Sequence, residues 1–131
     1  MMVCLDSDIL IDFLRNKSYA VEKVKELSER NVEISTTSIN TFELIKGAMR
    51  SNQVDAMEVV YSLISNLKVL DFDFNASKKA SEIFEELRRG GNLIDPLDLI
   101  IASIAIVNGE TFLTRNLSHF KRISELEIEK L

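Results

Sequence analysis

The amino-acid sequence predicts an α/β fold, a three-layer sandwich in which a mainly parallel sheet of four or five strands lies between layers of helices. Three observations predict it. Short apolar runs of strand character alternate with segments of helical periodicity along the whole chain. Parallel strands need crossover connections and helices supply them, so this alternation favours parallel pairing with helices on both faces. The 131 residues, 46% apolar and 28% charged, suit one globular domain over 1–131, and one proline, four glycines and no repetitive or charge-block segment leave no linker.

Each element follows from local pattern. Met2-Val3-Cys4-Leu5 reads as a short interior strand, Asp6-Ser7-Asp8 as the acidic turn after it, and Ile9, Leu10, Phe13 and Leu14 as the apolar face of a helix. Tyr19 to Arg30 carries Tyr19, Val21, Val24 and Leu27 among charges, an amphipathic helix, and Val32 to Thr36 then alternates as a strand. Ser38 suits the cap of a helix bearing Ile39, Phe42, Ile45 and Met49, with Val54 to Ile64 as its antiparallel neighbour. Leu67 to Leu70 is a third strand, and Ala76 to Arg89 a helix that Gly90-Gly91 stops. Asp95-Pro96 opens a helix that is apolar almost all round to Val107. Asn108-Gly109 ends it, Thr111 to Thr114 forms a fourth strand, and Leu126 to Ile128 offers a short fifth.

Composition excludes several function classes. Sixteen Lys and Arg against 21 Asp and Glu give a net charge of −5, so no global positive field draws in nucleic acid or membrane. The single cysteine, Cys4, forms neither an internal disulfide nor a cysteine zinc site; it suits a small core residue and a reducing cytoplasm. The first residues lack a basic lead, so no signal peptide is expected, and the longest apolar stretch, Leu99 to Val107, is too short to span a bilayer.

Three acids stand out by position. Asp6 directly follows the first strand and so belongs to the carboxyl edge of the sheet, where ligands of such sheets bind; it is equally suited to cap the next helix. Glu43 lies on the shoulder of an apolar helical stripe, with Lys46 as an alternative ion-pair partner, and the helix-weakening Gly47 suggests that something approaches the backbone one turn on. Asp95-Pro96-Leu97-Asp98 reads locally as a helix cap, yet Asp98 precedes the buried run Leu99-Ile100-Ile101-Ala102, where an unpaired carboxylate is costly and a cation would repair the cost. Asp8 and Asp12 read as a solvated face, with Arg15 as a surface partner. Asp6, Glu43 and Asp98, 37 and 55 residues apart, suit Mg2+ or Mn2+ if the fold gathers them, and such ions bind substrate phosphates and activate water.

Four segments in order resemble PIN domains, especially VapC-type toxins: Asp6 to Ile11, Ser38 to Gly47 around Glu43, Asp95 to Ala102, and Thr114-Arg115-Asn116-Leu117-Ser118-His119-Phe120. The resemblance implies a metal-dependent endoribonuclease of the cytoplasm, a homodimer with RNA as substrate, silenced by a cognate antitoxin protein. It places the family's acids at Asp6, Glu43 and Asp98, its small hydroxyls at Ser7 and Thr114, and substrate contacts at Ser7, Thr114, Arg115 and Asn116. A fourth family acid, often at the Asn116 or His119 position, is absent; Asn116 can supply an oxygen to the metal, and His119 reads as a solvated loop histidine. RNA phosphates need cations, for which Arg88, Arg89, Arg115, Lys121 and Arg122 are the candidates.

Two rival readings remain. Asp6-Ser7-Asp8 after a strand also resembles the nucleophile turn of aspartyl phosphatases, although the chain is short for that fold. The missing acid leaves room for a weakly active or inactive PIN-like module that binds RNA or a partner protein. The apolar surface of Met49, Val54, Met57, Val60, Tyr61 and Ile64 reads as core, or as a groove for an antitoxin helix or a dimer interface.

Overall fold

The structure, a computed structural model, describes residues 2–131. Strands β1 (Met2–Leu5), β2 (Glu33–Thr37), β3 (Lys68–Leu70) and β4 (Thr111–Leu113) form one sheet in the order β3-β2-β1-β4, with every neighbouring pair parallel. The helices are α1 (Ser7–Leu14), α2 (Ser18–Glu29), α3 (Ser38–Arg50), α4 (Ala56–Ser65), α5 (Phe74–Arg89), α6 (Pro96–Val107) and α7 (Leu117–Phe120). No helix among the described residues is long and apolar enough to cross a membrane.

Period-two alternation in the strands produces the three layers. Val3 and Leu5 of β1, with Leu113 of β4, pack against Ile9, Leu10, Leu27, Leu44 and Val60, which come from α1, α2, α3 and α4. The opposite face carries Cys4 and Phe112, which pack against Ile83 and Leu87 of α5, Ile101, Ala102 and Ala105 of α6, and Phe120 of α7. Both faces of β1 are therefore covered, which is why Met2-Val3-Cys4-Leu5 reads as a continuous apolar run. Cys4 is wholly buried, as its reading as a small core residue expects.

Pairing register sets up the carboxyl edge. Leu5 pairs with Leu113 and Cys4 with Ser35, so the chain leaves β1, β2 and β4 at Asp6, Thr37 and Thr114 in adjacent rows. The Asp6 amide donates to the Leu113 carbonyl at 2.9 Å and carries the ladder one step further.

Four local expectations need correction. Thr37, not Ser38, caps α3: it is extended, its Oγ1 accepts from the Asn40 amide at 3.2 Å, and the Asn40 side chain accepts in return from the Thr37 amide at 3.3 Å. Helix α5 begins at Phe74, because Asp73 accepts from the Ala76 amide at 2.9 Å and starts it two residues before Ala76. The fifth strand reduces to one parallel bridge between Phe112 and Ile128, secured by two backbone bonds of 2.8 Å. The short α7 carries no periodic signal, being a single turn, and was not anticipated.

Candidate active site at the carboxyl edge of the sheet

Asp6 turns out to be both helix cap and site residue. Only 8% exposed, it accepts through Oδ1 from the Ser7 amide at 2.8 Å and from Asn40 Nδ2 at 3.0 Å, and through Oδ2 from Thr114 Oγ1 at 2.7 Å. Burial, and then the negative charge of Asp8, push its carboxyl up to about 7. Hydrogen bonds from Thr114 and Ser7 pull the other way, and the charge of Asp98 adds to the rise. Asp98, 92 positions away, is linked to Asp6 through a chain of contacts that runs over His119, Asn116 and Thr114.

Glu43 reaches the same place from α3. Its Oε1 accepts from Ser7 Oγ at 2.7 Å, so Ser7 links it to the first turn of α1. The alternative Glu43–Lys46 ion pair does not appear among the described residues; Lys46 instead sits 5.1 Å from the centre of the Phe42 ring. Gly47 does not receive another chain segment, since a Cβ there would meet nothing within 4 Å. It lines a cleft of about 560 Å³ between α1, α3 and α4, with Glu43 on its wall.

Asp98 occupies the first turn of α6, behind the Asp95 cap and Pro96 as expected, with Asp95 Oδ1 accepting from the Leu97 amide at 2.8 Å. It is half-buried and not unpaired: its Oδ2 lies 3.1 Å from His119 Nδ1. His119 is therefore more than a solvated loop residue, although its side chain stays 44% exposed. Helix α7 carries it to the carboxyl edge, where the same Nδ1 also lies 2.9 Å from Asn116 Nδ2. These two contacts need opposite states of one nitrogen, because a lone pair accepts from Asn116 and a proton donates to Asp98. The Asn116 side-chain amide is thus one of two competing partners of His119 Nδ1, while its backbone N–H donates to Thr114 Oγ1 at 3.0 Å.

The reading of Asp8 and Asp12 as a solvated face is wrong. The turn after β4 folds over α1, so the Arg115 backbone N–H donates to Asp8 Oδ2 at 2.9 Å and the Arg115 guanidinium lies 3.3 Å from Asp12. Asp12 is buried, takes the Tyr19 hydroxyl as a close donor, and has Lys17 at 3.9 Å, with the charge of Arg15 also acting on it. The Tyr19 hydrogen bond first, and then Arg115 and Lys17, hold its carboxyl below the usual range. Most of the cations expected to guide RNA also have protein partners. Arg88 and Arg89 bond Glu85 at 3.0 and 3.2 Å, and Arg122 donates to the Leu93 carbonyl at 2.9 Å. Phe120 is wholly buried and offers no face for stacking.

One residue escaped sequence reasoning altogether. Asn40, wholly buried, donates through Nδ2 to Asp6, to Ser7 Oγ at 2.8 Å and, at the longest reach, to Glu43 Oε1 at 3.5 Å. Its only trace in the sequence is its place three residues after Thr37, the offset of a capping box.

The donors fit a hard divalent cation by their chemistry. They are carboxylate and hydroxyl oxygens, Asp6 is raised first by burial and then by the charge of Asp8, and Asp8 Oδ1 is buried without a hydrogen-bond partner. Among the described residues no three acidic, histidine or cysteine side chains are already drawn together to ligating distance. The carboxylates hold Ser7, Asn40, Thr114 and His119 instead.

Comparison with known proteins finds relatives over nearly the whole chain. The tRNA(fMet)-specific endonuclease VapC of Salmonella typhimurium is 36% identical over 126 residues, 95% of this chain and 94% of that protein. Ribonuclease VapC2 of Rickettsia felis is 30% identical over 130 residues, 98% of this chain and 97% of that one. The crystal structure of VapBC2 from Rickettsia felis, bound to a DNA fragment from its promoter, superposes with a TM-score of 0.91 at 28% identity, covering 100% of this chain and 99% of that chain. The description of the PIN domain matches residues 3–126, and with the parallel four-stranded sheet and these VapC relatives it shows that the chain belongs to the PIN domain family.

Proposed function

We propose that this protein is an endoribonuclease, the toxin of a VapBC-type toxin–antitoxin pair, acting as one domain in the cytoplasm and hydrolysing RNA phosphodiesters with Mg2+ or Mn2+ held by Asp6, Glu43 and Asp98. The observation that supports the reading is the joining of two of these acids, Asp6 and Glu43, through Ser7 and Asn40, with Asp98 reaching Asp6 through the contacts of His119, Asn116 and Thr114. A bound divalent cation supplies charge neutralisation at the phosphate and a more acidic water. The protein's part is positional. Thr114 and the Ser7 amide hold the two Asp6 oxygens, the Ser7 hydroxyl holds Glu43, and the Asp95 cap and Pro96 fix the helical turn that carries Asp98. Asn116, as an additional oxygen donor, and Arg115, as a substrate contact, complete the assignment; the half-exposed Arg115 has to loosen its hold on Asp12 to reach a phosphate.

Partners follow from the surface. The cleft beside Glu43 is lined by Ile11, Leu14, Leu44, Ala48, Val59 and Val60, an apolar trough suited to a helix of the cognate antitoxin, which would end against the acids. Phe42 and Met49 stand exposed on the other flank of α3 and suit a homodimer contact.

Asp6→Asn and Asp98→Asn each lower Mn2+-dependent cleavage of RNA by at least ~10²-fold while the circular dichroism spectrum stays that of the wild type. Cleavage at the wild-type rate in both variants rejects the assignment. A second reading, a PIN module that binds without cutting, is favoured by one contact, the engagement of Asp98 by His119 where the family often has an acid. Calorimetry separates the two: the nuclease takes up Mn2+ and the binding module does not.

A further inference from the structure

The hydrogen bonds around Asn40 have a direction that the atoms themselves fix. Thr37 presents two donors, its backbone N–H and its hydroxyl, to Asn40 Oδ1 at 3.3 and 2.7 Å. The amide oxygen must therefore face Thr37, and the amide nitrogen must face Asp6, Ser7 and Glu43, all of which can accept. A primary amide has two hydrogens. The shorter contacts take them, Ser7 Oγ at 2.8 Å and Asp6 Oδ1 at 3.0 Å. Once the Ser7 oxygen accepts from Asn40, its own proton is directed to Glu43 Oε1 at 2.7 Å. One uncharged side chain thus aims a donor at each of two carboxylates, directly at Asp6 and through the Ser7 hydroxyl at Glu43.

A lysine or arginine here would also satisfy both acids, but it would occupy the charge that a divalent cation needs. An amide holds the carboxylates without neutralising them. It is also fully buried and pinned by the capping box, so its orientation costs nothing further when a cation binds. We propose that Asn40 is a positioning residue of the metal site, an uncharged spacer that sets the separation and orientation of Asp6 and Glu43 before the cation arrives. The inference rests on the cation-dependent nuclease reading and adds to it a residue that touches neither substrate nor metal.

The test is Mn2+ affinity of the intact protein without RNA, read by electron paramagnetic resonance of the free ion, for wild type, Asn40→Ala, Asn40→Ser and Asp73→Ala. Asp73 caps α5 and touches none of the site residues, so it reports the effect of a weakened helix start alone. The expected result is a loss of Mn2+ affinity of about tenfold or more in Asn40→Ala and Asn40→Ser, with Asp73→Ala unchanged at a comparable fall in melting temperature. Because Asn40 acts partly through Ser7, the losses in Ser7→Ala and Asn40→Ala are expected to be non-additive in the double variant. Should Asn40→Ala fail to fold, Asn40→Ser keeps a hydroxyl in the helix's first turn and carries the same expectation. Wild-type affinity in a folded Asn40 variant overturns the inference alone. A wild-type protein that takes up no Mn2+ overturns the nuclease reading and the inference together.

Discussion

The two halves of the site are built differently. On the side of α1 and α3, Asp6, Ser7 and Asn40 are buried, and every polar contact has one sensible direction of donation. On the side of α6 and α7, Asp98, Asn116 and His119 are only partly buried, and one imidazole nitrogen stands between an amide donor and a carboxylate. The first half is fixed before any ligand arrives, because leaving a buried donor unmet costs more than the bond contributes. The second half can exchange partners, since water reaches it. Such a division would let one face of the proposed metal site set geometry while the other admits substrate.

The largest expected effect concerns the charge that the fixed half stores. A carboxyl that titrates near 3.8 when unfolded and near 7 when folded takes up protons on folding between those values. Its contribution to stability is therefore full below about pH 4, declines as the pH rises and is lost above about 7. Measured in chelator as the difference between wild type and Asp6→Asn, which cancels the other acids, the decline should be on the order of 2–4 kcal/mol. A flat difference would mean that Asp6 is no more buried than Asp98. Next, Thr114→Val removes the donor to Asp6 Oδ2 and leaves a buried carboxylate oxygen unmet, at a cost of about 1–3 kcal/mol in chemical denaturation. A cost near zero would place Asp6 with the adaptable half. The smallest effect is expected from His119→Ala. Releasing Asp98 Oδ2 should raise Mn2+ affinity by about two- to fivefold, whereas a tenfold fall would show that His119 orients its acid as firmly as Asn40 orients Asp6, and would erase the contrast.

The legibility of the sequence divides along a related line. Strand and helix order, the Asp95-Pro96 cap and the placement of Asp6 after β1 rest on residues within a few positions of one another, and all were readable. Asp12 was misread because its partner Arg115 lies 103 positions away and no local pattern announces that the turn after β4 folds over α1. His119 was misread for the same reason, since its place beside Asp98 depends on a single-turn helix without periodicity. Asn40 hides differently: it occupies a helical position between Ile39 and Phe42 whose burial makes it look like a flaw in an apolar stripe. Polar residues inside such a stripe at the carboxyl edge of a parallel sheet are worth pairing with the acids one turn away.

The sheet order has a consequence for the protein's synthesis. Strand β1 lies between β2 and β4, and Asp6 receives one of its hydrogen bonds from Thr114, 108 residues later. During synthesis Asp6, Ser7 and Asn40 are therefore made well before Thr114 and α7, which complete the carboxyl edge around them. For the ribonuclease proposed above, late closure of the fold would keep the translation machinery beside it out of reach while the chain is being made.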